Sequence, residues 1–293
     1  MANQFKIVGI GEILWDMLPE GKQLGGAPGN FAYHCQQRGA EAVVISAIGQ
    51  DELGAEILSV LEQKQMSHHF CKHQQYPTGT VGVSLSGDGI PAYNIHEQVA
   101  WDYISPDEKT MKIIRSADAI CFGSLAQRTE GNQENMAQIL GAASPAALKV
   151  FDINLRQHYY DKQVLERSLQ AANILKLNDE ELVIMQKLFA LEEQEQAGLL
   201  QMMERYELKL IALTKGAEGS VLYDGEQWST ISSPKVSVVD TIGAGDAFTA
   251  AMVMGYLSGK PLKVLHQEAV NLSAYVCTQQ GATPKISASA INQ

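Results

Sequence analysis

The sequence has little cysteine and no surplus of basic charge. Its 293 residues hold four cysteines, Cys35, Cys71, Cys121 and Cys277, far apart and without a C-x-x-C pair. That spacing argues against a disulfide framework and predicts reduced, mostly buried thiols in a cytoplasmic chain. Lys and Arg number 22 against 33 Asp and Glu, a net charge of -11. Nucleic acid wants a basic face, so it is excluded as the main partner. A small anionic ligand is not, because backbone N–H groups and a metal ion can meet its charge locally. No apolar run approaches the ~20 residues of a membrane helix, so no membrane is expected. The start, "MANQFKIVGIGEIL", lacks a basic n-region and a cleavage site and reads as a first strand. Also missing is G-x-x-x-x-G-K-[ST], which leaves a P-loop unsupported. "GIGEIL" stops at G-x-G and continues as β, which argues against a dinucleotide-dependent oxidoreductase.

What is present is an alternation. Apolar residues make up 45% of the chain, enough for a full core. Nearly continuous apolar runs at 5–11, 42–49, 119–125, 149–155, 173–178 and 208–216 predict strands covered on both faces. Helical patterns fall at 28–38, 52–66, 132–143, 162–172, 179–189, 243–258 and 262–280. In the sixth, Phe248, Ala251, Met252, Gly255 and Tyr256 form one apolar stripe. In the seventh, Leu265, Ala269, Leu272 and Val276 do so. The expected fold is α/β, a doubly wound, mostly parallel sheet flanked by helices. Its ligands are expected at the carboxyl ends of the strands.

Two stretches break the rhythm. "ILWDMLPEGKQLGG" (13–26) and "TGTVGVSLSGDGIPAYNIHEQVAWDY" (78–103) are rich in β-formers and turn residues, and "SGDG" reads as a hairpin turn. They predict a small β-sheet lid from 12–24 and 78–103. The main domain would take 1–11, 25–77 and 104–293. The lid's outward apolar residues predict a cover over the site, a homodimer contact, or both. Trp15 and Trp101 fall in these insertions, where packing of the lid is the plain reading.

The stretch "DTIGAGDAF" (240–248) carries the chemistry. A helix start offers unpaired N–H groups and a partial positive charge. Gly243, Ala244 and Gly245 let backbone approach an anion closely. Asp246 beside them would repel that anion unless it has its own task, such as taking a proton from an attacking hydroxyl. In "GGAPGNFA" (25–32), Gly25 and Gly26 allow a tight turn and Pro28 suits a first helical turn. Asn30 offers a donor and an acceptor to a polyol.

These two stretches, in this order, resemble the two signatures of the ribokinase-like (PfkB) carbohydrate kinases. The resemblance runs over essentially the whole chain. "IGQDELG" (48–54), "KLNDEE" (176–181), "LTKGAEGS" (213–220) and "QQGATP" (279–284) resemble further elements of that family in order. It implies ATP as donor, with Mg²⁺ and K⁺ as expected cofactors. Asp246 would be the base, and Gly243, Ala244 and Gly245 the anion hole. Asn178 and Glu181 would organise the phosphates and Mg²⁺ through water, although their spacing also makes a capping box. Thr214 and Gly216 would border the nucleotide, and Asn271 the adenine. Asp240, Ile242 and Gly281 would lie near the monovalent cation.

On the sugar side, Gly26, Asn30 and Asp16 would meet hydroxyls. "AWDYI" (100–104) and "FDINLR" (151–156) resemble the fructokinase branch. Arg156 would contact sugar or phosphoryl group, or else pair with Asp152 or Asp161. Gly29 stands where the family often has alanine. The implied reaction is phosphorylation of a free sugar, D-fructose before ribose or 2-keto-3-deoxygluconate. A non-catalytic sugar sensor on the same fold is the rival from another class. "HHFCKH" (68–73) fits no structural zinc spacing and predicts a surface strand.

Overall fold

The computed structural model describes residues 4–19, 21–85 and 91–286. Among these, a nine-stranded sheet forms the centre of the molecule. Its seven parallel strands lie in the order β11 (Leu210–Thr214), β10 (Ile174–Asn178), β9 (Leu148–Asp152), β8 (Ala119–Phe122), β1 (Lys6–Ile10), β4 (Glu41–Gly49) and β5 (Ser67–His73). The strands β12 (Ser220–Tyr223) and β13 (Trp228–Ile231) extend one edge antiparallel. The central strands are buried on both faces, as their unbroken apolar runs require. The doubly wound α/β arrangement read from the sequence is therefore the observed fold.

The helices are α1 (Ala27–Gln37), α2 (Glu52–Gln63), α3 (Glu108–Arg115), α4 (Glu130–Gly141), α5 (Lys162–Ala171), α6 (Asp179–Phe189), α7 (Glu195–Arg205), α8 (Ala244–Leu257) and α9 (Leu262–Cys277). Asp51, Asp107, Thr129, Asp161, Asn178 and Gln194 cap α2 to α7 with side-chain oxygens. In contrast, α1 and α8 begin at Gly26 and Gly243, which have no side chain to offer. Their first amides stay available to other groups.

The sequence predicts one apolar stripe on α8. Instead, every residue from Ala247 to Gly255 is buried. The helix packs against α1 and α9 as well as the sheet, so it has no solvent face over that length. The stripe on α9 is buried as expected at Leu265, Ala269, Leu272 and Val276.

A second, four-stranded sheet has the order β3 (Gly21–Gly25), β2 (Leu14–Leu18), β6 (Gly79–Leu85) and β7 (Pro91–Ile95). It draws strands from both β-rich insertions. The pair β2–β6 is parallel; β2–β3 and β6–β7 are antiparallel. The "SGDG" turn lies outside the described residues. Trp101 is wholly buried with Leu14, Val81, Ile95, Val99 and Leu125, tying this sheet to the main body. Trp15 joins the main core and donates to Leu53 O at 3.0 Å. "HHFCKH" forms β5 at the sheet edge, and no metal-binding cluster of acids, histidines and cysteines occurs among the described residues.

Candidate active site

A cleft of about 1140 Å³ runs along the carboxyl ends of β10 and β11, between the starts of α1 and α8. One wall is the small sheet, through Leu14, Asp16, Leu18, Val81 and Ile95. The other end is lined by Thr214, Gly216, Val236, Val238, Val270 and Cys277. Between them, the floor carries Gly243, Ala244, Gly245 and Asp246. The cleft thus has one end covered by the small sheet and another lined by loops and α9, joined at one helix N-terminus.

Gly243 is the N-cap of α8 at φ 77, a left-handed conformation that suits glycine. A Cβ there would also meet the Ala282 backbone at 2.6 Å. The Ala244 amide turns back onto Thr241 O at 3.2 Å. The amides of Gly243 and Gly245 donate to nothing among the described residues. The predicted anion hole therefore has two open donors, with Ala244 serving the turn.

Asp246 sits in the first turn of α8 and accepts a 2.8 Å hydrogen bond from Asn30 Nδ2. The bond joins residues 216 positions apart, one from each glycine-rich turn. Burial and the charge of Asp152 push the Asp246 carboxyl up to about 6, against partial relief from Asn30, Lys176 and Arg156. A carboxylate near that value is ionised at neutral pH yet basic enough to accept a proton.

Glu12, which the sequence reading passed over, is only 3% exposed and lines the same cleft. Its Oε1 accepts from Ala27 N at 3.3 Å, filling the place of the missing cap on α1. Its Oε2 has no partner among the described residues. Burial pushes its pKa to about 7, and Asp246 adds to the rise. The signal in the sequence is the acid of "GIGEIL", just past the carboxyl end of the first strand. Asp16, on β2, has its pKa raised by burial with Arg156 as a partial offset.

Lys176 is a second residue missed in sequence. It lies buried on β10 and donates to Asp152 Oδ1 at 3.0 Å, while Thr249 donates to Oδ2 at 3.0 Å. Burial works against the lysine charge, but Asp152, Glu181 and Asp246 hold its pKa above the ordinary value. Asp152 is thus taken by Lys176, and Asp161 caps α5. Neither pairs with Arg156, whose Nη1 donates to Leu155 O and whose side chain lines the cleft.

Asn178 and Glu181 form the capping box of α6. Both carboxylate oxygens of Glu181 accept backbone amides, from Leu155 at 2.9 Å and Asn178 at 2.8 Å. The carboxylate is buried and its pKa raised by burial. A metal held directly by Glu181 would have to displace those bonds; contact through water would not. Asp240 holds the predicted cation loop together by accepting from Ile242 N and Gly281 N, each at 3.0 Å. Asn271 departs from expectation. It does not line the cleft; Val270, Ser273, Ala274 and Cys277 do. That face of α9 repeats at i, i+3, i+4 and i+7, and Asn271 is turned off it, accepting from Gln267.

The family model for pfkB family carbohydrate kinases matches residues 20–288. The chain belongs to the PfkB family of carbohydrate kinases. It is 28% identical to a fructokinase of Salmonella typhimurium, over 96% of this chain and 94% of that one. The crystal structure of an uncharacterized sugar kinase of Pyrococcus horikoshii superposes with a TM-score of 0.78 at 26% identity, covering 94% and 93% of the two chains. The same protein in complex with ATP gives 0.76 at 26%, covering 94% of each. A 2-dehydro-3-deoxygluconokinase of Thermotoga maritima gives 0.85 at 18% identity over 99% and 98%, which speaks for the fold alone. As a member of this family the chain is a sugar kinase, a phosphotransferase acting on a sugar hydroxyl.

Proposed function

We propose that this sugar kinase transfers the γ-phosphate of ATP to a hydroxymethyl group of D-fructose, with Asp246 as general base. The observation that carries the assignment of roles is the placement of Asp246. It lies on the cleft floor, beside the open amides of Gly243 and Gly245, and is oriented by Asn30. The base and the anion-binding donors are adjacent, as in-line phosphoryl transfer needs.

The sugar occupies the end walled by the small sheet, with Asp16, Asn30, Gly26 and Arg156 as its polar contacts. Asp246 takes the proton of the attacking hydroxyl, and the Gly243 and Gly245 amides meet the charge that develops on the phosphoryl oxygens. ATP lies across the end lined by Thr214, Gly216 and the apolar loop at 236–242. Support for ATP comes from the ATP complex of the Pyrococcus kinase. Mg²⁺ neutralises phosphate charge when bound. Glu181 and Asn178 would hold that ion through water. A K⁺ ion is assigned to the loop that Asp240 organises with Ile242 and Gly281. The small sheet acts as a lid that excludes water as a competing acceptor. It is also the proposed contact of a homodimer, and a monomeric mass by light scattering would remove that part.

Fructose is preferred on the Salmonella relative and on the "AWDYI" and "FDINLR" segments. The test is ADP release with Mg·ATP and K⁺, with D-fructose, D-ribose, 2-keto-3-deoxygluconate, adenosine and no acceptor side by side. Turnover highest on fructose is expected. Turnover confined to another acceptor moves the substrate. Sugar binding without turnover on any acceptor overturns the catalytic reading in favour of a sensor.

A further inference from the structure

Helix α1 places Asn30 and His34 one turn apart on the same face. Asn30 reaches Asp246. His34 is wholly buried, and its Nε2 lies 2.9 Å from Ala282 O. A carbonyl only accepts, so Nε2 carries the hydrogen. Nδ1 is bare and buried, with no partner among the described residues. Burial lowers the ring's pKa to about 4, so it stays neutral through the working range.

The segment that His34 holds is the one on which the anion-binding turn rests. The Ala282 backbone fills the space a Cβ on Gly243 would need, at 2.6 Å. Gly281 N donates to Asp240, which also accepts from Ile242 N, just before Gly243. On the far side, Lys64 Nζ donates to Thr283 O at 3.1 Å. The turn and the 281–283 segment therefore form two layers, and α1 and its neighbour Lys64 brace the outer one.

We propose that His34 is a positioning residue for phosphoryl transfer: through Ala282 it fixes the open amides of Gly243 and Gly245 at the place where phosphate charge develops. Asn30 and His34 then set the base and the anion hole from one rigid helix face. This inference rests on the proposed phosphoryl transfer. Misplacing donors that act only in the transition state lowers turnover without touching sugar affinity.

The experiment compares wild type with His34→Leu and His34→Gln, on the acceptor that wild type turns over best. Leucine removes the donor; glutamine supplies one of similar reach. The expected result is a fall in kcat of roughly ten- to hundredfold for leucine, an unchanged KM for the sugar, and recovery of most of kcat with glutamine. A leucine variant that melts lower but keeps its kcat makes His34 a purely structural residue and overturns the proposal. So does a glutamine variant that folds and remains as slow as leucine. If leucine prevents folding, Lys64→Met frees Thr283 O from a less buried position; kcat is expected to fall, and an unchanged kcat overturns the proposal. Absence of turnover in wild type itself is a different failure, that of the phosphoryl-transfer reading.

Discussion

Two groups of carboxylates in and beside the cleft differ in one respect: Glu12, Asp16, Glu181 and Asp246 line it, and Asp152 meets it through Lys176. Asp152 and Glu181 have every oxygen engaged, by Lys176, Thr249 and the amides of Leu155 and Asn178. Glu12, Asp16 and Asp246 each keep an oxygen without a hydrogen bond among the described residues; burial raises the pKa of each, as it does that of Glu181. Asp152 and Glu12 stand at or just past strand ends, and Glu181 and Asp246 in the first turns of helices, so position in the fold does not separate the groups. Satisfaction does. A buried acid whose bonds are all made within the chain shapes the site. One left with spare acceptors is poised to receive something from outside.

The sharpest way to test this division is to neutralise one member of the open group. Asp246→Asn should cut turnover by roughly 10²–10⁴-fold, the usual worth of a general base. Sugar affinity by calorimetry should barely change. In wild type, activity should fall as pH drops through about 6, because Asp246 must be ionised to accept a proton. An Asp246→Asn variant that keeps most of its turnover would remove the base from this position.

A large effect of another kind is expected from the closed group. Lys176→Met strands Asp152 without its partner and should cost about 3–5 kcal/mol in denaturant unfolding. It also bears on the boundary between the groups, since Lys176 helps to keep the Asp246 carboxyl from rising further. The acidic limb of the pH–rate profile should therefore move to higher pH. A loss of stability with an unmoved limb would mean that the closed group is scaffold alone.

This division was only half legible in the sequence. Strands and helices of the parallel sheet were readable because buried strands announce themselves as unbroken apolar runs. Both glycine-rich turns were readable because backbone demands, left-handed φ and close approach, select glycine. What the sequence hid was pairing at a distance. Nothing local tells that Lys176 meets Asp152, that Glu12 stands in for a cap on α1, or that Asp152 is closed to Arg156. "NDEE" could be read both as a capping box and as a phosphate element, and the structure shows the first. The helix α8 looked amphipathic because its small residues hide how many neighbours surround it.

A more modest prediction uses stability to sharpen the contrast. Glu12 has a folded-state pKa of about 7 against an ordinary 4.5. Its protonated form therefore adds stability in full below about pH 4.5, and that contribution is lost as pH rises through 7. Glu12→Gln keeps an oxygen for the Ala27 amide and cannot ionise. At about pH 8 it should gain roughly 2–3 kcal/mol over wild type, and near pH 4 nothing. Equal loss at both pH values would mean that Oε2 has a partner after all, and Glu12 would move to the closed group.

The smallest effect is expected where sequence and structure part company. Asn271 resembles a family adenine contact in sequence, yet the cleft-facing side of α9 is Val270, Ser273, Ala274 and Cys277. Its side-chain oxygen is already engaged by Gln267, one turn back on the same helix. Adenine offers a flat apolar face and ring-edge polar atoms, and the exposed Val236 and Val238 supply apolar surface at this end of the cleft. Asn271→Ala should therefore change the KM for ATP by less than about twofold, within the range of a substitution that touches no ligand. Ala274→Leu, on the neighbouring cleft-facing position, should raise it clearly by filling space that the nucleotide needs. If the ranks were reversed, α9 would have to rotate or shift on nucleotide binding. The closed and open groups would then have to be compared again in the bound state, because a turn of α9 would move Val276 and Leu272, which pack with α8 in the same core.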